Sequence, residues 1–167
     1  MRAALLRVLL PLLGIAVAVY ALYIEHRKAE AAVSGEQYEA MCDIEGLGKC
    51  SDVLTSEWGH ILSKWGLVAK GSALDLPNPV LGIAFYGLVL LWPLQQRAPV
   101  LLASAGSLLF SLYLAGVLYF VLKDFCAVCV TSYLVNAAIF AVEYLAAPAS
   151  EAQPAAAKKA AGRKVKA

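Results

Sequence analysis

The sequence predicts an all-α integral membrane fold: a four-transmembrane-helix bundle with a lumenal cap loop that carries a short amphipathic helix. Three observations lead there. The 167 residues are 61% hydrophobic and only 16% charged, with a mean hydropathy of +0.70, which is too apolar for a soluble domain. Four stretches, at about residues 8–24, 78–96, 98–122 and 125–143, have the length and apolarity that a bilayer crossing demands. Basic residues are also divided between the two sides of such a bundle. Arg2, Arg7, Arg97 and the five Lys and Arg from 158 onward fall on one side. The other side has Arg27, Lys28, Lys49, Lys64, Lys70 and Lys123 together with ten acids, nine of them in the 25–75 loop. The positive-inside rule then puts both termini and the 95–99 turn in the cytosol and the 25–75 loop across the membrane. Residues 1–145 read as one membrane domain, and the Ala/Pro/Lys-rich residues 146–167 as a disordered basic cytosolic tail.

The first span opens at Arg7, whose long stem can snorkel to the interface, and ends at Tyr20 and Tyr23. No small-residue cleavage site directly follows its apolar run, so an uncleaved span is expected rather than a signal peptide. Beyond Glu25 the chain turns polar. Ser34 to Gln37 has capping-box spacing and predicts a short helix through Tyr38 and Met41. Cys42 and Cys50 follow, with Gly46 and Gly48 between them, so the two cysteines can close on each other. Either a static staple or a mobile dithiol fits that spacing. Leu54, Trp58, Ile61, Leu62 and Trp65 recur at helical intervals and predict an amphipathic helix with Glu57, His60 and Lys64 on its polar side. His26 and His60 read as solvated residues without metal company.

Leu76-Pro77-Asn78-Pro79 begins the second span, where Pro suits a first helical turn. Asn78 is placed to cap that helix or to direct its amide into a cavity. This span continues through Phe85 and Tyr86 to Trp92-Pro93. The third has small residues at Ala103, Gly106, Ser107 and Gly116, which permit close helix contact. Lys123-Asp124 then turns the chain into the fourth span, which starts with Cys126-Ala127-Val128-Cys129. If the helix starts at Phe125, both cysteines share one face of its first turn, where unpaired N–H groups favour a thiolate. Tyr133 lies one turn deeper on that face. Redox chemistry, a zinc site and ordinary buried cysteines all fit a lone Cys-x-x-Cys. All four cysteines fall in or beside the non-cytosolic segments, which points to an oxidising compartment.

Taken together, Cys42 and Cys50, Ser56-Glu57-Trp58-Gly59, Asn78 with Phe85-Tyr86, and Asp124-Phe125-Cys126-x-x-Cys129 with Tyr133 resemble the vitamin K epoxide reductase family, over roughly residues 15–145. The resemblance implies a four-helix bundle around a quinone pocket, in the endoplasmic reticulum membrane. It implies thiol-dependent reduction of vitamin K epoxide to quinone and of quinone to hydroquinone. Cys129 would be the attacking thiolate and Cys126 its disulfide partner. Cys50 would exchange with Cys126, and Cys42 would take electrons from a lumenal thioredoxin-fold protein. Asn78 and Tyr133 would hydrogen-bond the head-group oxygens, with Phe85, Trp58 and Ser56 completing the substrate site. No permanently bound cofactor and no metal are implied; the ligands are the quinone and a dithiol reductant, and coumarin-type inhibitors compete for the pocket. Membrane lipid is the surrounding partner, and nucleic acid is not one.

The chain departs from the vertebrate pattern at Glu57, where Arg is usual, and at Pro79, where Ser is usual. A quinone-dependent thiol oxidase that supports disulfide formation is the alternative within the same chemistry. A non-catalytic tetraspan protein with structural disulfides is the alternative outside it.

Overall fold

The computed structural model describes residues 2–44, 46, 48–91 and 97–146. Within them every regular element is helical: α1 (Arg2–Ser34), α2 (Cys50–Leu54), a 3-10 turn (Glu57–Gly59), α3 (Ile61–Lys64), α4 (Asn78–Leu91), α5 (Arg97–Gly116) with a wider π-helical turn at Val117–Leu122, and α6 (Ala127–Ala146). The expected end of the second span at Trp92-Pro93 and most of the expected 146–167 tail lie outside the described residues. Among the described residues three helices are long and apolar enough to cross a membrane, Ala4–Ser34, Ala98–Leu122 and Ala127–Leu145; the shorter Asn78–Leu91 is also apolar.

α1 is the mast of the fold. It packs along α4 and α6, while α5 packs on α6. At about 1.5 Å per residue its 33 residues outreach a hydrocarbon core of roughly 30 Å. The polar residues after Ile24 therefore continue the same helix instead of starting a loop, so the expected 8–24 span is the middle of a longer rod. α1 ends at Ser34 because Gly35 takes a left-handed φ of 75° and Glu36 donates its N–H to the Ala31 carbonyl at 3.0 Å. Ser34 thus closes a helix where the capping-box spacing predicts that it opens one, and no helix follows through Tyr38 and Met41.

The expected amphipathic helix after Cys50 is also broken up, into α2, the 3-10 turn and α3. Ser56 turns its hydroxyl back to the Val53 carbonyl at 2.7 Å, and Gly59 sits so close to the Leu54 carbonyl that a Cβ there would collide with it. The apolar side chains still find the bundle. Trp65 packs edge-on against Phe110 at 6.1 Å and donates to the Tyr113 hydroxyl at 3.3 Å, and Trp58 lies 6.4 Å from the Tyr113 ring.

Two buried clusters hold the helices together. One gathers Ala21, Ile24, Leu54, Leu118 and Val128 around Cys50 and Cys126; the other gathers Ala18, Tyr86, Val89, Val135 and Ile139. Outward faces carry Leu9, Leu12, Leu102, Leu109 and Leu134, the surface expected where lipid replaces water. Arg7 makes a two-pronged pair with Glu143 at 2.9 and 3.0 Å, joining the start of α1 to the end of α6. A half-buried charge is better neutralised by a facing carboxylate than carried alone.

Gly14 lets α1 meet α4, since a Cβ there would stand 2.5 Å from the Tyr86 ring. Gly14→Val is expected to push Tyr86 aside and to cost about 1–3 kcal/mol, the usual scale of overpacking. A lowered thermal midpoint of the detergent-solubilised protein, with Gly14→Ala intermediate, would show it.

Candidate functional site

The site is built where two turns are clasped together. Lys123 adopts a left-handed φ of 51° and reverses the chain between the π-helical turn and α6. The carboxylate of the next residue, Asp124, accepts the Phe125 N–H at 2.8 Å and, from the other turn, the Lys49 N–H at 2.9 Å. Opposite it, Ile44 and Gly48 exchange both backbone hydrogen bonds, at 2.9 and 3.0 Å. Gly48 approaches the Phe125 backbone so closely that any side chain would collide with it. These contacts bring the start of α2 against the start of α6, that is, Cys50 against Cys126, and both residues are 0% exposed.

Cys126 precedes α6 as its N-cap and does not sit inside the first turn. Its carbonyl accepts the Val130 N–H at 3.0 Å, and its sulfur accepts the Cys129 N–H at 3.2 Å. One backbone donor is thus aimed at the Cys126 sulfur. The four cysteines pack into one cluster, in which each senses the next in the order Cys42, Cys50, Cys126, Cys129. The four are free thiols in contact, a continuous file of sulfur from the exposed loop to the helix bundle.

Asp43 holds the outer end of this file. Its carboxylate accepts the Ser51 N–H at 2.9 Å, the Ser51 hydroxyl at 2.8 Å and the Ala40 N–H at 2.8 Å. Burial works to raise its pKa, but those donors together hold the carboxyl below its usual range. Although Asp43 lies within 4.8 Å of the Cys42 and Cys50 sulfurs, its oxygens are committed to these donors, so its work here is to shape the loop. Lys28, on the projecting part of α1, donates to the Ser51 hydroxyl at 3.1 Å and pairs with Asp52.

The inner end of the file opens on a cavity of about 180 Å³ between α4 and α5. α1 and α6 form its back and the 53–59 segment covers it. Cys129, Tyr133, Asn78, Phe85 and Trp58 all line it; Ser56 does not, its hydroxyl being spent on the chain just before it. Tyr133 lies one turn below Cys129 on the same face of α6, and both face the cavity. Asn78 is no cap: Pro77 supplies the first acceptor of α4, taking the Val80 N–H at 2.9 Å. The Asn78 amide instead accepts the Ile61 N–H at 3.1 Å and donates to the Trp58 carbonyl at 2.7 Å, stitching the covering segment to α4. One N–H of that amide remains for a ligand in the cavity.

A sequence model of the Vitamin K epoxide reductase family matches residues 5–144. The chain belongs to the vitamin K epoxide reductase family. It is 38% identical over 151 residues to vitamin K epoxide reductase complex subunit 1 of Rattus norvegicus, covering 86% of this chain and 89% of that protein. The mouse (Mus musculus) protein of the same name is likewise 38% identical, over 152 residues, 86% of this chain and 90% of its own. Members of this family are oxidoreductases, and a file of four thiols that ends at an apolar cavity is the corresponding structural feature here.

Two groups escaped the sequence reading. His60, read as a solvated polar-face residue, lies between two carboxylates: its Nε2 is 3.0 Å from Glu25 and its Nδ1 is 3.3 Å from Asp75. Glu25 and Asp75 are 35 and 15 residues from His60, so no local spacing signals the cluster. His26 is the solvated histidine, on the projecting end of α1 beside Glu30 at 3.2 Å. Asn136 and Ser132 also line the cavity, and their position on the Cys129 face of α6, at i+7 and i+3, is a signal that helical spacing does carry.

Two outcomes are expected. Gly48→Ala should push the Cys50 turn from the Cys126 turn and slow oxidative cross-linking of Cys50 to Cys126 several-fold, read on non-reducing gels in a Cys42→Ser, Cys129→Ser background. Burial and the hydrogen bond with Cys50 push the Cys42 thiol up from 9.0 to about 12. Its neutral form is therefore favoured, and reduced Cys42 should alkylate more slowly than an exposed thiol at about pH 8. Its rate should keep rising about tenfold per pH unit beyond the point where an ordinary thiol levels off, as mass spectrometry of iodoacetamide adducts would show.

Proposed function

We propose that this protein reduces vitamin K 2,3-epoxide to the quinone, and the quinone to the hydroquinone, with electrons drawn through its four cysteines. The contact order Cys42, Cys50, Cys126, Cys129, ending at the cavity, is the observation that carries this reading. In the epoxide step, the Cys129 thiolate attacks the head group and Cys126 then displaces the carbon from Cys129. Two thiols become one disulfide, and the epoxide oxygen leaves as water. In the quinone step, the same pair supplies two electrons and two protons, and both carbonyls become hydroxyls. Each half of the cycle needs one dithiol and no resident cofactor.

Tyr133 is the donor to the developing oxyanion, and the free N–H of Asn78 holds the second oxygen. Phe85 and Trp58 are the apolar walls of the site. Ser56 acts through the turn that carries Trp58 and does not touch the substrate. Cys50 restores the Cys126–Cys129 pair by thiol–disulfide exchange, and Cys42 receives electrons from a lumenal thioredoxin-fold protein. Coumarin-type inhibitors compete for the cavity.

Topologically, α4 belongs to the second of four spans. Residues 1–145 form one membrane domain in the endoplasmic reticulum, with both termini cytosolic and the cysteines lumenal. The covering segment is a cap that keeps water from the reacting atoms.

Dithiothreitol-driven conversion of vitamin K epoxide by the purified full chain, beside Cys129→Ser, tests the reading. Turnover in the parent that disappears in the variant supports it. A parent inert toward both epoxide and quinone would sink it.

A further inference from the structure

Among the residues lining the cavity, one side-chain acceptor is buried and lacks a donor: the Asn136 amide oxygen. The amide is not loose. Its Nδ2 donates to the Ser111 hydroxyl at 2.8 Å, and Ser111, only 3% exposed, passes its own proton to the Ser107 carbonyl at 2.8 Å. This chain fixes which end of the amide is nitrogen, because the Ser111 hydroxyl already spends its proton on Ser107. The neighbouring hydroxyls offer the oxygen nothing either. Ser132 donates to the Val128 carbonyl at 3.1 Å and Ser107 to the Ser104 carbonyl at 3.3 Å. A buried carbonyl without a donor costs roughly 1–3 kcal/mol, so an orphan of this kind calls for a partner.

Asn136 lies three residues beyond Tyr133 and seven beyond Cys129, on the same face of α6. Helical side chains lean toward the N-terminus of their helix, here toward Cys129. The amide therefore leans back toward the reacting cysteine from two turns below it, in a cavity whose other walls are largely apolar.

The oxidation states of the head group differ in the hydrogen-bonding groups they offer. A quinone presents only acceptors. Reduction by the Cys126–Cys129 dithiol forms one S–S bond and transfers two electrons and two protons, so the hydroquinone presents two O–H donors. Tyr133 and the free N–H of Asn78 donate, and they serve an oxygen in either state. The Asn136 oxygen only accepts, so it serves a hydroxyl and not a carbonyl. We infer that Asn136 accepts a hydrogen bond from the hydroxyl formed when the quinone is reduced, making it a residue that favours the second reduction over the first.

This inference rests on the proposed function, and its test separates the two. The full chain in detergent, with dithiothreitol, is assayed for epoxide and quinone reduction as Asn136→Leu, Asn136→Gln and Ser111→Ala. The readout is the ratio of kcat for quinone to kcat for epoxide. Asn136→Leu should lower that ratio about tenfold, the scale of one lost hydrogen bond, and Asn136→Gln should restore part of it. A purely structural tie between α5 and α6 predicts instead that Ser111→Ala lowers the ratio as far as Asn136→Leu does, and that result would overturn the inference. So would an unmoved ratio in an active Asn136→Leu enzyme. A parent inert toward both substrates would remove the proposed function and this inference with it. Should Asn136→Leu not fold, binding to Cys129→Ser protein, where turnover is blocked, decides the matter: menadiol should bind several-fold more tightly than menadione, and equal affinity would overturn the role of Asn136.

Discussion

One carboxylate holds the reactive end of this protein together. Asp124 accepts an N–H from its own turn and another from the turn that leads into Cys50, 75 residues earlier in the chain. Without that shared acceptor two short irregular segments would each have to find a place for an unsatisfied backbone group in a poorly hydrated setting, which is costly. With it, the two turns dock, Gly48 settles against the Phe125 backbone, and Cys50 and Cys126 are shut from solvent in contact. The bare glycine and the carboxylate work as one device. The glycine permits the approach, and the carboxylate rewards it.

The cavity follows from how the helices pair. α1 is shared by α4 and α6, and α5 leans on α6, so α4 and α5 are left without an intimate seam between them. The space between them would collapse if the covering segment were free to sink. It is held by Asn78, which engages both the Trp58 carbonyl and the Ile61 N–H, and by the stack of Trp58 and Trp65 on Tyr113 and Phe110. Rigid aromatic planes supported by a two-way amide brace maintain an open apolar volume that flexible aliphatic chains would fill.

Polar side-chain contacts finish each end of the bundle. Arg7 and Glu143 join α1 to α6 at one end. At the other, Glu25 and Asp75 hold His60 between them and so connect α1, the covering segment and the approach to α4. These pairs act between elements distant in the chain. Their contribution lies more in fixing how the elements meet than in net energy, since removing such groups from water offsets much of the attraction.

The sequence by itself determined the helical membrane class, the long apolar segments, the identity of the four cysteines and the face of α6 on which Cys129 and Tyr133 lie. Those are matters of composition, helical period and local spacing, which operate within a few residues of chain. It misread Ser34, because a capping signal is worth little beside a helix already propagating through thirty residues and a glycine ready to end it. It also misread the stretch after Cys50 as one helix, because the apolar period survives there while Ser56 and Gly59 break the backbone. Only the tertiary structure decided that Cys50 meets Cys126, that the Asn78 amide braces the cover, that Ser56 stands off the cavity, and that His60 is flanked by carboxylates from opposite directions. It also left the Asn136 oxygen without a donor. Each of these depends on groups brought together from far along the chain, and a hydrogen-bond partner dozens of residues away leaves no period in the sequence to read.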